Sequence, residues 1–330
     1  MRKTIAIAAL AAFALAAPLS GQDMPEPPTP ASIVAAAPAS DWRAIDPADL
    51  LVMTLAADAG GNPRQVVVQL LPAPFSQSWV GNIRTLAKAH WWDGTSVYRV
   101  VDNWVAQWGD GEDDEAKAKP LPEGMRVVAE SEYTVPMSCE VYLFEGKVIE
   151  DRCIPEFNAI EAVDAYVMSG QTGFTAGWPV AMKLEPEGNR VWPVHCYGSV
   201  GVARNLSPDT GTGAELYAVI GHAPRALDRN IAVVGRVIEG IEHLSTLPRG
   251  KGDAGVYDDP ALRVPIVSVR LGNEVGQLPQ PQYEYLASDS ASFAEYVRVR
   301  ANRNDPFYKV PAGGVDVCNV QVPIRRVPSE

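Results

Sequence analysis

The stretch "VYRVVDNWVAQWGD" at Val97–Asp110 sets one arginine, Arg99, among Val, Tyr and Trp, followed by an amide side chain at Gln107. In a regular strand Val97, Arg99 and Val101 share one face and Tyr98 and Val100 the other. Arg99 is then either a solvated strand residue or a fixed cation beside an apolar surface. A guanidinium so placed stays charged and offers several N–H groups in a rigid fork. Other candidates for chemistry are weaker. Asp209-Thr210-Gly211 has the triplet used by paired carboxylates that share a proton, but it occurs once, after the turn-like "NLSP", and reads as an ordinary turn. "YGSVG" lacks the first glycine of a nucleophile elbow, H-E-x-x-H does not occur, and there is no glycine-rich nucleotide loop. His90, His195, His222 and His243 are scattered and read as structural or exposed groups. The cysteines lack a C-x-x-C spacing and His195-Cys196 is a single adjacent pair, so neither a metal site nor a cofactor is expected.

The chain has 330 residues, 47% hydrophobic and 21% charged, enough for one large domain or two small ones. Its net charge of −12 argues against sequence-independent nucleic-acid binding and against an anionic membrane surface, because both need clustered Lys and Arg. Met1-Arg2-Lys3 and the run "TIAIAALAAFALAAPLSG" have the basic start, apolar middle and small residues of a secretory signal peptide over 1–21. The apolar run stops at Pro18, short of the roughly 20 residues that span a bilayer, so no membrane anchor is expected after cleavage. Export, most simply to a periplasm, follows as the expectation. Cys139, Cys153, Cys196 and Cys318 are an even set for an oxidising compartment, and two disulfides are expected. Three connectivities are possible; a local bridge across the Cys139–Cys153 hairpin would leave Cys196–Cys318 to pin the C-terminal tail.

Residues 22–41, rich in Pro and Ala, read as an extended spacer, with order beginning near Trp42. "LLVMTLAA" and "RQVVVQLLP" form a hairpin around "DAGGNP". Trp79, Ile83 and Leu86 give one amphipathic helix with Ser76 as N-cap. Gly111–Lys119 is a charged exposed loop. Beyond it come the cysteine hairpin and a short helix in "IPEFNAIEAVDAYVM", then strands in "CYGSVGVARN", "AELYAVIG" and "IAVVGRVIEGIEHLSTL", the last running into a helix. "RVPIVSVRLG" adds a strand, Gln280–Asn304 reads as helical and the last 25 residues as irregular. Many short strands with few helices imply a mainly β barrel.

Four stretches together, "VYRVVDNWVAQWGD", "GSVGVARN", "AELYAVIGHAP" and "LDRNIAVVGRVIEGIEHL", resemble the cyclophilins, peptidyl-prolyl cis/trans isomerases whose first run is F-H-R-V-I-x-x-F-M-x-Q-G-G-D. Arg99, Val100, Gln107, Gly109 and Asp110 match at unbroken spacing; Ala203-Arg204 matches the family's "MAR", Leu227-Asp228 its "LD", and Asn82 the asparagine of its first helix. The resemblance covers about Leu50–Asp110 and His195–Gly272. It implies a closed eight-stranded antiparallel β-barrel capped by two helices within a domain at 42–272. An inserted hairpin/helix segment would occupy about 111–194, and a helical extension 273–330. It also implies that Arg99 is the catalytic donor. Trp104, Val105, Tyr217 and Leu227 would then form a proline pocket, Gln107 a substrate-binding amide, and Ala203–Arg204 the backbone that meets the peptide. Taken singly, Val105, Ala203 and Leu227 read as barrel core.

The sequence departs from the family at the pocket phenylalanines, now Trp104 and Tyr217, and at the methionine, now Val105. The glutamine behind the arginine is Glu215, and the late tryptophan and histidine positions read Ala226 and Ile231. A carboxylate at 215 can pair with Arg99, either orienting the guanidinium or competing for it. Two functions fit: an exported isomerase acting on proline-containing segments of unfolded or exported proteins, or a cyclophilin-fold peptide-binding or assembly module with little catalysis. Retention of Arg99 with Gln107 favours the first.

Overall fold

The computed structural model describes residues 26–327 apart from 113, 115, 145–146, 155–156, 161–163, 168–169, 184–185, 187 and 277–281, and gives 138–154 as backbone. The expected signal peptide lies outside the described residues. Eight antiparallel strands close a barrel in the order Ser199–Val202, Leu216–Val219, Val105–Gly109, Ser96–Val100, Val264–Leu271, Leu50–Leu55, Arg64–Leu70, Val233–Glu239. Closure removes exposed sheet edges. The interior is filled by alternate apolar side chains such as Met53, Val66, Val100, Val200 and Ile266, all buried. The helix Gln77–Lys88 covers the barrel with Trp79, Ile83 and Leu86, as its spacing predicts, and the four-residue helix Glu242–Ser245 contributes Leu244.

Ser76 does stand at the N-cap, but in the left-handed region (φ 52°) and without a side-chain cap bond. Asn82, the motif asparagine, is tied in on both sides. Its Nδ2 donates to the carbonyls of Arg126 (2.9 Å) and Thr212 (3.0 Å), and its Oδ1 accepts from Arg126 N (2.8 Å). Asp209 closes a turn through bonds from Gly211 N and Asn205 N, so the Asp-Thr-Gly triplet is a turn.

Several elements differ from expectation. Order begins before Trp42: Pro30–Ala36 is a helix, because Thr29 and Ser32 form a reciprocal capping box and Pro30 sits in the first turn. Its Ile33 and Val34 pack on a second core that includes Trp42, Phe174, Trp192, Phe293 and Val320. The helix expected in "IPEFNAIEAVDAYVM" is not seen in its described part. Asn158–Ala159 instead edges a five-stranded sheet with Gly170–Thr175, Trp178–Lys183, Arg190–Pro193 and Val135–Pro136. The segment between the two barrel halves thus builds its own sheet.

Beyond the barrel, Ala291–Ala301 is helical, but Tyr283–Leu286 is a strand between Trp42–Ile45 and Ile324–Arg326. The final segment is therefore less irregular than its composition suggests. Cys196 and Cys318 form a disulfide that pins the tail to the body. The Cys139–Cys153 hairpin pairs those two residues in backbone register, while their side chains lie outside the described ones.

Candidate functional site

Arg99 leaves the strand Ser96–Val100 at a register shift. Val97 faces Trp108 while Arg99 faces Gln107, with Tyr98 as the extra residue between them. This bulge overturns the expected alternation, since one added residue rotates all that follow to the other face. Val97 joins the main core with Val100, whereas Arg99 and Tyr98 both reach Gln107. Bulges re-aim side chains next to sites, and here the bulge turns Arg99 toward a pocket.

That pocket is a separate apolar cluster in which Val105, Tyr217 and Val219 are buried and Trp104, Ala203, Leu227 and Ile231 pack against them. Five of the expected substrate-binding positions therefore meet in one place. The Arg99 guanidinium carbon stands 5.2 Å from the Trp104 ring centroid. Its Nε donates to the Ala254 carbonyl (2.6 Å) and its Nη1 to Gln107 Oε1 (2.8 Å), which leaves Nη2 with no partner among the described residues. Burial lowers the Arg99 pKa, as removing a cation from water must, yet a guanidinium remains protonated at neutral pH. The loop that supplies the Ala254 carbonyl runs along the same strand, with Gly250 N donating to Val100 O and Tyr257 N to Tyr98 O. No motif marked this loop's part.

Glu215 does not pair with Arg99, contrary to the expectation. Its Oε2 accepts from Tyr98 OH (2.8 Å), and its Oε1 accepts from the backbone N–H of Asp110 (2.7 Å) and Gly111 (3.4 Å). Gln107 Nε2 donates in turn to the Tyr98 hydroxyl. A directed chain results: Arg99 donates to Gln107, Gln107 to Tyr98, and Tyr98 to Glu215. The carboxylate at the end can only accept, so it fixes the direction of the chain and presents Gln107 Oε1 to Arg99. Burial pushes the Glu215 carboxyl above the usual carboxylate range, although the Tyr98, Asp110 and Gly111 bonds oppose that shift. Space for Glu215 depends on Gly109, whose φ of 150° disfavours a side chain and where a Cβ would fall 2.2 Å from Glu215 Oε2.

Ala203 N donates to Glu215 O (2.9 Å) beside the cluster. Arg204 folds its guanidinium onto the loop opposite, Nε donating to Asn230 O (2.9 Å) and Nη1 to Asn205 O (2.7 Å). Its side chain braces the pocket, while its backbone N–H bonds no described residue.

His195, read as one of four scattered histidines, is fully buried behind the pocket. Nδ1 lies 2.9 Å from Asp228 Oδ1 and Nε2 lies 2.9 Å from Tyr217 OH. Asp228 Oδ2 accepts from Arg225 Nε (2.6 Å), and Arg225 Nη1 donates to Asp164 Oδ2 (2.7 Å). Burial alone would lower the Arg225 pKa, but Asp228 and Asp164 raise it above the ordinary value. The Tyr217 hydroxyl also overlies Gly201, where a Cβ would approach to 2.3 Å. Of this network the sequence placed Tyr217 in the pocket and Asp228 in a motif match, while Arg225 and Asp164 carried no signal.

The arrangement offers a half-buried fixed cation with an aromatic and aliphatic pocket beside it and, among the described residues, a donor left unpaired and no activated nucleophile. Such a site can bind a peptide and stabilise electron density that develops on a nitrogen.

Comparison with known proteins bears on the family and the fold. The family described as cyclophilin type peptidyl-prolyl cis-trans isomerase/CLD matches residues 65–271. A similar solved structure is the cyclophilin AquaCyp293 from Hirschia baltica, with 22% identity, 92% of this chain and 99% of that chain covered and a TM-score of 0.60. Another is a Cryptosporidium parvum cyclophilin type peptidyl-prolyl cis-trans isomerase solved in the presence of the dipeptide ala-pro. It has 12% identity, covers 67% of this chain and 98% of its own, and has a TM-score of 0.35. No curated protein matches the chain.

Proposed function

Because the chain belongs to the cyclophilin-type peptidyl-prolyl cis-trans isomerase family, we propose that it accelerates isomerisation of X-Pro bonds in exported polypeptides, with Arg99 as the catalytic residue. The observation that carries this reading is the Nη2 of Arg99, unpaired among the described residues, beside the Val105–Tyr217 cluster. Rotation about an X-Pro bond faces a barrier of about 18–20 kcal/mol and takes tens to hundreds of seconds uncatalysed. The barrier is amide resonance. As the bond twists, the prolyl nitrogen regains its lone pair and becomes a hydrogen-bond acceptor, which it is not in the planar ground state. A donor already aimed there binds the twisted form preferentially, and that difference is the catalysis.

Trp104, Val105, Tyr217 and Leu227 hold the ring by apolar contact, while Gln107 keeps the guanidinium oriented. The backbone of Ala203–Arg204 binds the flanking peptide. No proton is transferred and no covalent bond forms, so the chemistry asks only for preorganisation. We take 42–272 as the isomerase domain, with 111–194 inserted in it and 273–330 appended. The leader-like residues 1–21 and the Cys196–Cys318 disulfide support export, most simply to a periplasm, where slow proline steps limit folding.

A protease-coupled assay on an Ala-Pro-Phe-type peptide tests the reading. A rate above buffer that scales with protein concentration is expected. A rate equal to buffer, with the peptide still bound, would instead assign a peptide-binding module.

A further inference from the structure

We propose that the inserted segment positions the proline pocket, with Asp164 as the positioning residue that clamps the pocket wall Pro224–Ile231 through Arg225. This rests on the pocket reading above and gives the insertion a role in it. The wall is a short 3-10 turn, Arg225–Leu227, followed by Arg229 in the left-handed region (φ 64°), and it contributes Leu227 and Ile231 to the cluster. Its internal bonds are local, Asp228 N to Arg225 O (3.0 Å) and Ile231 N to Leu227 O (3.0 Å) among them, and Arg204 Nε reaches it from the barrel at Asn230 O (2.9 Å). Local bonds of this kind do not fix where a loop sits on a barrel. External contacts must do that.

Three such contacts come from the insertion. Asp164 Oδ2 accepts from Arg225 Nη1, and the two side chains are 5% and 3% exposed. The Tyr166 ring lies 5.4 Å from the Arg225 guanidinium carbon, and the Trp192 ring lies 4.7 Å from that of Arg229. Asp164 is itself fixed, because its Oδ1 accepts from Tyr166 N (2.8 Å) in a tight turn. From Arg225 the chain continues inward through Asp228 and His195 to the Tyr217 hydroxyl, so one buried network spans the insertion, the wall and the pocket floor. Buried ion pairs are weak devices for stability, since desolvation offsets much of their attraction, but in some proteins they specify geometry. The bonds to Arg225 are short and directional, which suits them to holding a wall at one distance from Trp104 and Val105.

The pocket holds the proline ring in ground and transition states alike, whereas Arg99 acts on the twisted state. Loosening the wall therefore weakens binding more than it slows the bound reaction. For Asp164→Ala we expect KM for the Ala-Pro-Phe-type peptide to rise about fivefold with kcat changed less than about twofold. Amide exchange at Leu227, Asp228, Asn230 and Ile231 should quicken about tenfold while the barrel strands stay unchanged. Asp164→Asn, which retains one acceptor and the volume, should fall between, and it serves if the alanine variant does not fold. A lower kcat at unchanged KM, meaning fewer active molecules, would overturn the proposal. So would wall exchange equal to wild type in a folded variant. The exchange measurement needs no turnover, so an inactive wild type would refute the isomerase reading and still leave the clamp decided.

Discussion

Replacing Glu215 by glutamine should lower kcat/KM although the change is isosteric and restores the residue type usual in the family. The carboxylate accepts three bonds, from Tyr98 OH, Asp110 N and Gly111 N. An amide there has one acceptor atom. If its oxygen faces the two backbone donors, its NH2 faces the Tyr98 hydroxyl, which already receives Gln107 Nε2. The Tyr98 proton then has no acceptor unless Gln107 flips, and a flipped Gln107 turns its NH2 on Arg99. If the amide at 215 is reversed instead, Asp110 N and Gly111 N are the groups left unpaired. Each arrangement strands at least one donor, at about 1–3 kcal/mol.

The favoured relief is the flip, because it moves the fault to the half-exposed Arg99. Arg99 would lose one of its two fixing bonds, and at about 1.4 kcal/mol per tenfold in rate the expected loss in kcat/KM is on the order of tenfold. Tyr98→Phe should cost about as much, and adding Glu215→Gln to it should cost little more, because the chain is already cut. The protease-coupled assay on the four proteins measures this cycle. Glu215→Gln within twofold of wild type, or full additivity of the two changes, would refute the relay.

The same carboxylate predicts a pH effect of unusual sign. Its folded-state pKa is raised by burial, so the folded protein binds that proton more tightly than the unfolded chain, and the Glu215 contribution to stability grows as pH falls through the raised value. Activity should fall over the same window, because a protonated carboxyl can donate and no longer directs the chain; Glu215→Gln should flatten that limb of the kcat/KM profile. Asn82→Ala removes bonds to Arg126 O, Thr212 O and Arg126 N in a site 1% exposed. A loss of about 2–3 kcal/mol in denaturant unfolding is expected. Cys318→Ser opens a covalent loop spanning 122 residues and should cost about 2–5 kcal/mol, read as a lower Tm with the C-terminal segment exchanging first.

Much of the barrel and the position of Arg99 were legible because they rest on local pattern. Alternating apolar strands, the "DAGGNP" turn and the unbroken run from Arg99 to Asp110 need no knowledge of distant residues. The bulge at Tyr98 was not legible, since Val97, Tyr98, Val100 and Val101 are all apolar or aromatic and a change of phase among them leaves no mark in the sequence. Nor was the Tyr98–Glu215 bond, which joins residues 117 apart; charge complementarity suggested Arg99 as the partner, and geometry gave the hydroxyl. The helix Pro30–Ala36 carried a usable signal in Thr29-Pro30 and Ser32 that the Pro/Ala composition obscured. In the described part of "IPEFNAIEAVDAYVM", expected to be helical, Asn158–Ala159 edges a sheet and Ile160 and Val167 join the second core. His195 and Asp228 meet Tyr217 only through tertiary closure, and isolated polar residues in a sequence carry no mark of it.

The central claim is that the fixed Arg99 guanidinium stabilises the twisted prolyl bond. Its most direct test compares wild type, Arg99→Lys and Arg99→Ala in the same isomerisation assay, with peptide affinity measured alongside. Arg99→Ala should lose at least about a hundredfold in kcat/KM, the size of about 3 kcal/mol of transition-state stabilisation, while affinity for the peptide changes little. Lysine should recover only part, since its single nitrogen lacks the rigid fork with which Arg99 meets Ala254 and Gln107 from two nitrogens and presents a third. An Arg99→Ala protein that isomerises the peptide as fast as wild type would contradict that claim.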